Sequence, residues 1–200
     1  MNHYRRALCL LIGTLFVMSE ACATFPARPT YQIRPGSGKG LVVVSFSQPY
    51  DEMSWMYRDL ARARAHSRGD NDDFINTADF PGYPLVRYGE TVLYPFELQA
   101  GEYEFFRWTG PEVGSPRAPV AWSDRPVDDF SIKFRCVADQ VTYIGNVQLD
   151  FISDGNFTLR VRDMHETDIA ELIKVYRNIR PATIRVQLME HQVRLRSSGR

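Results

Sequence analysis

Between Leu41 and Arg162 the chain is built from short runs in which apolar and polar residues alternate, each run closed by Gly, Pro, Asn or Asp. A period of two puts alternate side chains on opposite faces of an extended strand, so such a chain folds by pairing strands and burying one face of each sheet. The runs are Leu41–Ser47, Thr91–Leu98, Glu102–Trp108, Phe130–Val137, Val141–Phe151 and Phe157–Arg162. Leu41–Val44 is apolar on both faces, as a fully covered strand would be. Pro95 lacks a backbone donor, which places its strand at an edge or beside a bulge. Ser153-Asp-Gly-Asn156 is a hairpin turn that folds the last run back on its predecessor. These signals predict a mostly β fold: an antiparallel β-sandwich with one amphipathic helix near the C-terminus.

That helix is expected over 166–178. Ile169, Leu172, Ile173 and Tyr176 form one apolar stripe, Asp163 with Glu166 can form a capping box, Thr167-Asp168 offers a second start, and Pro181 ends it. Met53–Ala65 reads equally as an alternating strand (Met53, Trp55, Tyr57) or as a helix (Met53, Met56, Tyr57, Leu60). Ser67–Gly89 reads as a long surface excursion, and Thr109–Asp129, with four prolines, as a second loop. Thr183–Leu188 is expected to add a final strand, and 191–200 to be a frayed tail.

The N-terminus carries an address. Arg5 and Arg6 precede an apolar run, Ala7–Met18, and the small and polar residues Ser19–Ala23 follow, which is the layout of a secretory signal peptide over 1–23. The run is too short to span a bilayer, which takes about 20 apolar residues. Two processing outcomes are open. Cleavage after Ala23 would release a soluble periplasmic protein; lipid modification of Cys22 would place it on the periplasmic face of the outer membrane. Only Ala21-Cys22 fits the lipoprotein box, because Ser19 and Glu20 stand where an aliphatic and a small residue are usual. Residues 24–40, rich in Pro and Gly, read as a flexible tether, followed by a single domain over 41–190.

The stretch Leu98-Gln-Ala-Gly-Glu-Tyr-Glu-Phe105 resembles the strand entry of prealbumin-like and carboxypeptidase-regulatory-like β-sandwiches. With Val141-Thr-Tyr-Ile-Gly145 and the Cys22 leader, the chain resembles the small uncharacterised β-sandwich lipoproteins of the Gram-negative cell envelope. The resemblance covers roughly 40–163 and implies a sandwich in the envelope, with no reaction attached to it.

Chemistry-bearing patterns are sparse. Without the leader the chain has 22 basic and 23 acidic residues, which argues against a nucleic-acid partner. Cys136 alternates with Ile132 and Phe134 and reads as a buried hydrophobe, not a nucleophile. His66, His165 and His191 lie far apart in polar settings, and no Gly-x-Ser-x-Gly elbow occurs. Asp70-Asn-Asp-Asp73 fails the calcium-loop spacing because Phe74 occupies the fifth position, and nothing has zinc-ligand spacing. No catalytic residue, metal or cofactor is therefore assigned. The candidate binding set is Tyr83, Tyr88, Arg107, Trp108 and Trp122, in or beside the long loops; their alternative role is to close the ends of the core. The expected function is a non-enzymatic exported binding or structural module whose partner is an envelope protein, a glycan or a lipid. The competing expectation is a periplasmic hydrolase built around His66 or His165.

Overall fold

The computed structural model describes residues 23–48, 53–65, 72–78, 85–109, 130–153, 156–189 and 193–195. Among the described residues twelve strands form two sheets. The smaller has the order β1 (Ala23–Thr24), β4 (Asp73–Asn76), β3 (Ser54–Asp59), β7 (Gly101–Thr109), β8 (Ile132–Cys136). The larger has the order β12 (Val193–Leu195), β10 (Asn156–Arg162), β9 (Val141–Ser153), β2 (Lys39–Ser47), β6 (Thr91–Gln99), β5 (Val86–Tyr88), with β11 (Ile184–Val186) beside the start of β9. Most pairings are antiparallel; β2 with β9, β11 with β9, and β1 with β4 run parallel. The fold is the expected sandwich.

Alternation explains why the sheets stack. Val42, Val44, Phe46, Tyr94 and Phe96 point inward from the larger sheet and meet Trp55, Tyr57, Phe105, Ile132 and Phe134 from the smaller, all at or near zero exposure. Phe46 stacks on Trp55 with centroids 4.9 Å apart, as Phe105 does on Phe134. The opposite face of the larger sheet presents Leu41, Val43, Leu93, Val141 and Tyr143, and helix α2 (His165–Val175) lies across it with Leu172 and Tyr176. β2 is thus covered on both faces, as its unbroken apolar run requires.

One bulge aligns this outer face. The β2–β9 register shifts between Val43 and Ser45, and Gly145 takes φ +111°. The extra residue brings Asn146 opposite Ser45, on the helix side. A Cβ at Gly145 would lie 2.8 Å from Val161 Cγ1, so glycine is required twice over.

Several expectations are corrected. Residues 24–34 are a packed strap, not a loose tether. Ala27 N–H donates to the Pro95 carbonyl at 2.7 Å, the Tyr176 hydroxyl donates to the Ala27 carbonyl at 2.7 Å, and the Tyr94 hydroxyl reaches the Thr24 carbonyl. Thr24 Oγ1 and the Tyr57 hydroxyl lie 2.5 Å apart, and Gly36 N–H reaches the Asp139 carboxylate at 3.1 Å. The Pro-rich composition fails as a flexibility signal because distant side chains satisfy the backbone here. Pro95 follows the same logic: β5 covers only Thr91–Leu93 of β6, and beyond it the strap is the neighbour.

The two readings of Met53–Ala65 are both realised, as β3 and then α1 (Leu60–Ala65). The expected excursion over 67–89 contains β4 and β5. The tail contributes β12, paired with β10. The capping box does not form: Met164 is the N-cap with no side-chain bond, while Asp163 Oδ1 accepts the His165 N–H at 3.1 Å.

Candidate functional site

Among the described residues a connected cluster of buried polar side chains lies where α2 meets the larger sheet. Asp168, in the first turn of the helix, is completely buried. Its Oδ2 accepts the Tyr143 and Ser45 hydroxyls, each at 2.5 Å, and its Oδ1 accepts the Tyr88 hydroxyl. The donors come from β9, β2 and β5, so one carboxylate ties the helix to three strands. Asn146 Nδ2 extends the network to Ser45 at 2.8 Å and Ser47 at 3.0 Å, and Ser47 Oγ lies 2.8 Å from Thr91 Oγ1.

The electrostatics are self-consistent. A carboxylate in the first turn sits at the positive end of the helix macrodipole. Burial, then the charge of Asp168 and the bond to it, push the Tyr143 hydroxyl far above its ordinary range. The Tyr88 hydroxyl is also raised, by burial and then by its bond to Asp168. Both phenols therefore stay protonated and donate. The three bonds to the Asp168 carboxylate are all donated hydroxyls, and the arrangement suits anchoring, not proton transfer to a substrate.

The expected site residues separate in space. Tyr88 belongs to the Asp168 network. Trp108 is buried in the sandwich with its ring centroid 6.4 Å from Trp55, so it closes the core. Arg107 is half-buried on β7 with its guanidinium 5.9 Å from the Phe106 ring, where Arg58 also sits at 4.5 Å. Tyr83, Trp122, Cys22, His66 and His191 lie outside the described residues. His165 Nδ1 is 2.7 Å from Asp163 Oδ1, but both are exposed at the start of the helix, and no serine completes the pair among the described residues. The Cys136 thiol is buried against the Leu98 carbonyl at 3.5 Å, and burial pushes its pKa up to about 11. Among the described residues no group of three or more metal-ligating side chains converges.

A second feature is an open groove of ≈ 700 Å³ along the strap, lined by Arg28, Thr30, Tyr31, Arg34, Pro35 and Glu97 among others. Lys39 Nζ meets Glu97 Oε1 at 2.6 Å. The bonds from Lys39 and the Tyr31 hydroxyl outweigh partial burial and hold the Glu97 carboxyl below its usual range.

No family profile and no curated protein matches the chain. Among solved structures, a leucine-rich repeat protein from Bacteroides thetaiotaomicron aligns at 12% identity with a TM-score of 0.32, over 56% of this chain and 14% of that one. At that level the likeness carries no argument.

Sequence reasoning missed Asp168 as an anchor, assigning it to the helix start. The available signal was two polar residues, Ser45 and Asn146, at outward positions of otherwise apolar strands. Such positions need a buried polar partner.

Proposed function

We propose that this chain is a non-enzymatic, exported envelope protein, lipid-tethered at Cys22, that acts as a binding or structural module on the periplasmic face of the outer membrane. The observation that supports this reading is the closed state of its most chemically loaded cluster. Asp168 is fully buried and engaged by three hydroxyls from three strands, which explains its presence without a substrate. The leader pattern of residues 1–23 supplies the address. Among the described residues no helix is long and apolar enough to cross a membrane; attachment in this reading goes through the lipid on Cys22.

The test is an intact mass of the mature protein after expression of the full-length chain in a Gram-negative host, with and without detergent extraction. A mass starting at Cys22 with acyl chains is expected; an unmodified mass starting at Thr24 sinks the tether. The same preparation is offered fluorogenic esters, phosphomonoesters and glycosides. Turnover lost in a His165→Ala variant would overturn the non-enzymatic reading.

A further inference from the structure

We propose that the groove along the strap is a docking surface for the headgroup of an anionic phospholipid, so that the domain lies against the membrane as well as being tied to it. This rests on the envelope reading above and extends it from the anchor to the folded surface.

Charge is the first argument. The whole chain is neutral, with 24 basic and 24 acidic residues, yet the groove is lined by two arginines against one glutamate. Lys39, just outside the lining, pairs with that glutamate, and the Asp139 carboxylate accepts from Gly36 N–H one residue beyond Pro35, so three cations stand against two acids around the opening. Guanidinium groups present a planar fork of donors that matches phosphate oxygens.

The groove also has an apolar side. Tyr31 and Ile33 pack partly buried against the outer core, and Pro35 lines the wall. A groove with both characters suits an amphiphilic anion better than a free inorganic one. Phe25, 48% exposed, stands on the same strap three residues before Arg28. Phenylalanine together with basic residues is a combination found on segments that lie on anionic bilayers.

Place is the third argument. An extended chain covers at most ~3.6 Å per residue, so Arg28 lies within about 20 Å of Cys22 along the backbone. Because the strap is fixed to both sheets and to Tyr176, this reach is not taken up by a swinging linker. A lipid on Cys22 would hold the groove beside the headgroup layer, where each nearby basic residue contributes measurably to binding anionic lipid.

The experiment titrates the mature protein, purified in a neutral detergent, with short-chain phosphatidylglycerol, short-chain phosphatidylcholine and sn-glycerol 3-phosphate by calorimetry. We expect phosphatidylglycerol to bind about tenfold or more tightly than phosphatidylcholine. The preference should vanish in an Arg28→Gln/Arg34→Gln variant and persist in the Arg28→Lys/Arg34→Lys variant, with circular dichroism checking that each is folded. Equal binding of the two lipids by the wild type refutes the proposal whatever the variants do. So does an unchanged preference in the folded glutamine variant, or glycerol phosphate binding as tightly as the lipid. The intact mass of the same preparation separates the two readings. A protein starting at Thr24 that still prefers phosphatidylglycerol keeps the groove and sinks the anchor. An acylated protein without the preference keeps the anchor and sinks the groove.

Discussion

Replacing Asp168 by alanine tests whether one carboxylate holds α2 on the sheet. The change removes the acceptor for the hydroxyls of Tyr143 and Ser45, both at 0% exposure, and for that of Tyr88. A hydrogen bond to a charged acceptor contributes about 1.5–3 kcal/mol, and a buried donor left without its partner carries a desolvation penalty of similar size. The effects are not additive. Tyr88 is half-buried and can turn to water, whereas Ser45 still accepts from Asn146 but its own O–H, like that of Tyr143, loses its acceptor. The two buried donors then set the loss at about 4 kcal/mol. For a domain of this size that corresponds to about 8–16 °C in Tm. Urea unfolding at constant m-value is the assay, supported by a double-mutant cycle with Tyr143→Phe, where coupling above about 0.5 kcal/mol is expected. A loss under about 1 kcal/mol for Asp168→Ala, or no coupling to Tyr143, would show that apolar packing at Leu172 and Tyr176 holds the helix without the polar lock.

Three further outcomes are expected. Gly145→Ala should cost at least about 1–3 kcal/mol in urea titration, since it combines a φ of +111° with a contact 2.8 Å from Val161; Gly36→Ala, at φ +76° but in open space, should cost about 1–2 kcal/mol. Tyr176→Phe removes the bond to the Ala27 carbonyl, should cost about 1 kcal/mol, and should speed proteolysis near the strap while leaving the far-UV spectrum unchanged. Cys136 should resist thiol reagents at pH 8 in the native protein and react once unfolded. Its folded pKa is raised from 9.0 to about 11, so the unfolded thiol ionises first, and the stability it contributes is complete below pH 9 and falls as pH rises toward 11. A Cys136→Ala variant that keeps the same slope between pH 9 and 10 would contradict that assignment.

The long strands were legible because their constraint is local. β7 alternates Glu102, Tyr103, Glu104 and Phe105, and the alternation states which residues enter the core; Glu104 is buried too, on the other face, where Arg58 and Ser131 cover it. Three features were not legible. β4 and β5 have only four and three residues, and Asp73 and Asn76 read as loop; their pairing depends on Trp55 and Leu93 across the sheet. The strap carries Pro26 and Pro29, which suggest a linker, yet its order comes from Tyr57, Tyr94 and Tyr176, which are remote in sequence. Asp168 lay in a helix-start pattern, and its role depends on strands 25 to 123 residues away. Of the described members of the expected binding set, Tyr88, Arg107 and Trp108, Tyr88 falls in the cluster that the fold assembles and the other two do not, because turn-rich flanks place an aromatic near an end of the sheet but do not say which face it joins.

The strap also has a consequence in time. On the export proposed above, the first residues of the mature chain reach the periplasm first, and the hydroxyl that closes over Ala27 belongs to a residue 149 positions later. The earliest segment across is therefore among the last to find its place. Contacts of such sequence separation are slow to form because the intervening loop must close first. Until Tyr176 has crossed, the outer core that Ala27 and Ile33 help to cover stays open to whatever else is nearby. A chain wired in this order gains most from being kept apart from its neighbours while it folds, and, on that same proposal of export, its yield should follow the supply of periplasmic chaperones more steeply than its final stability would suggest.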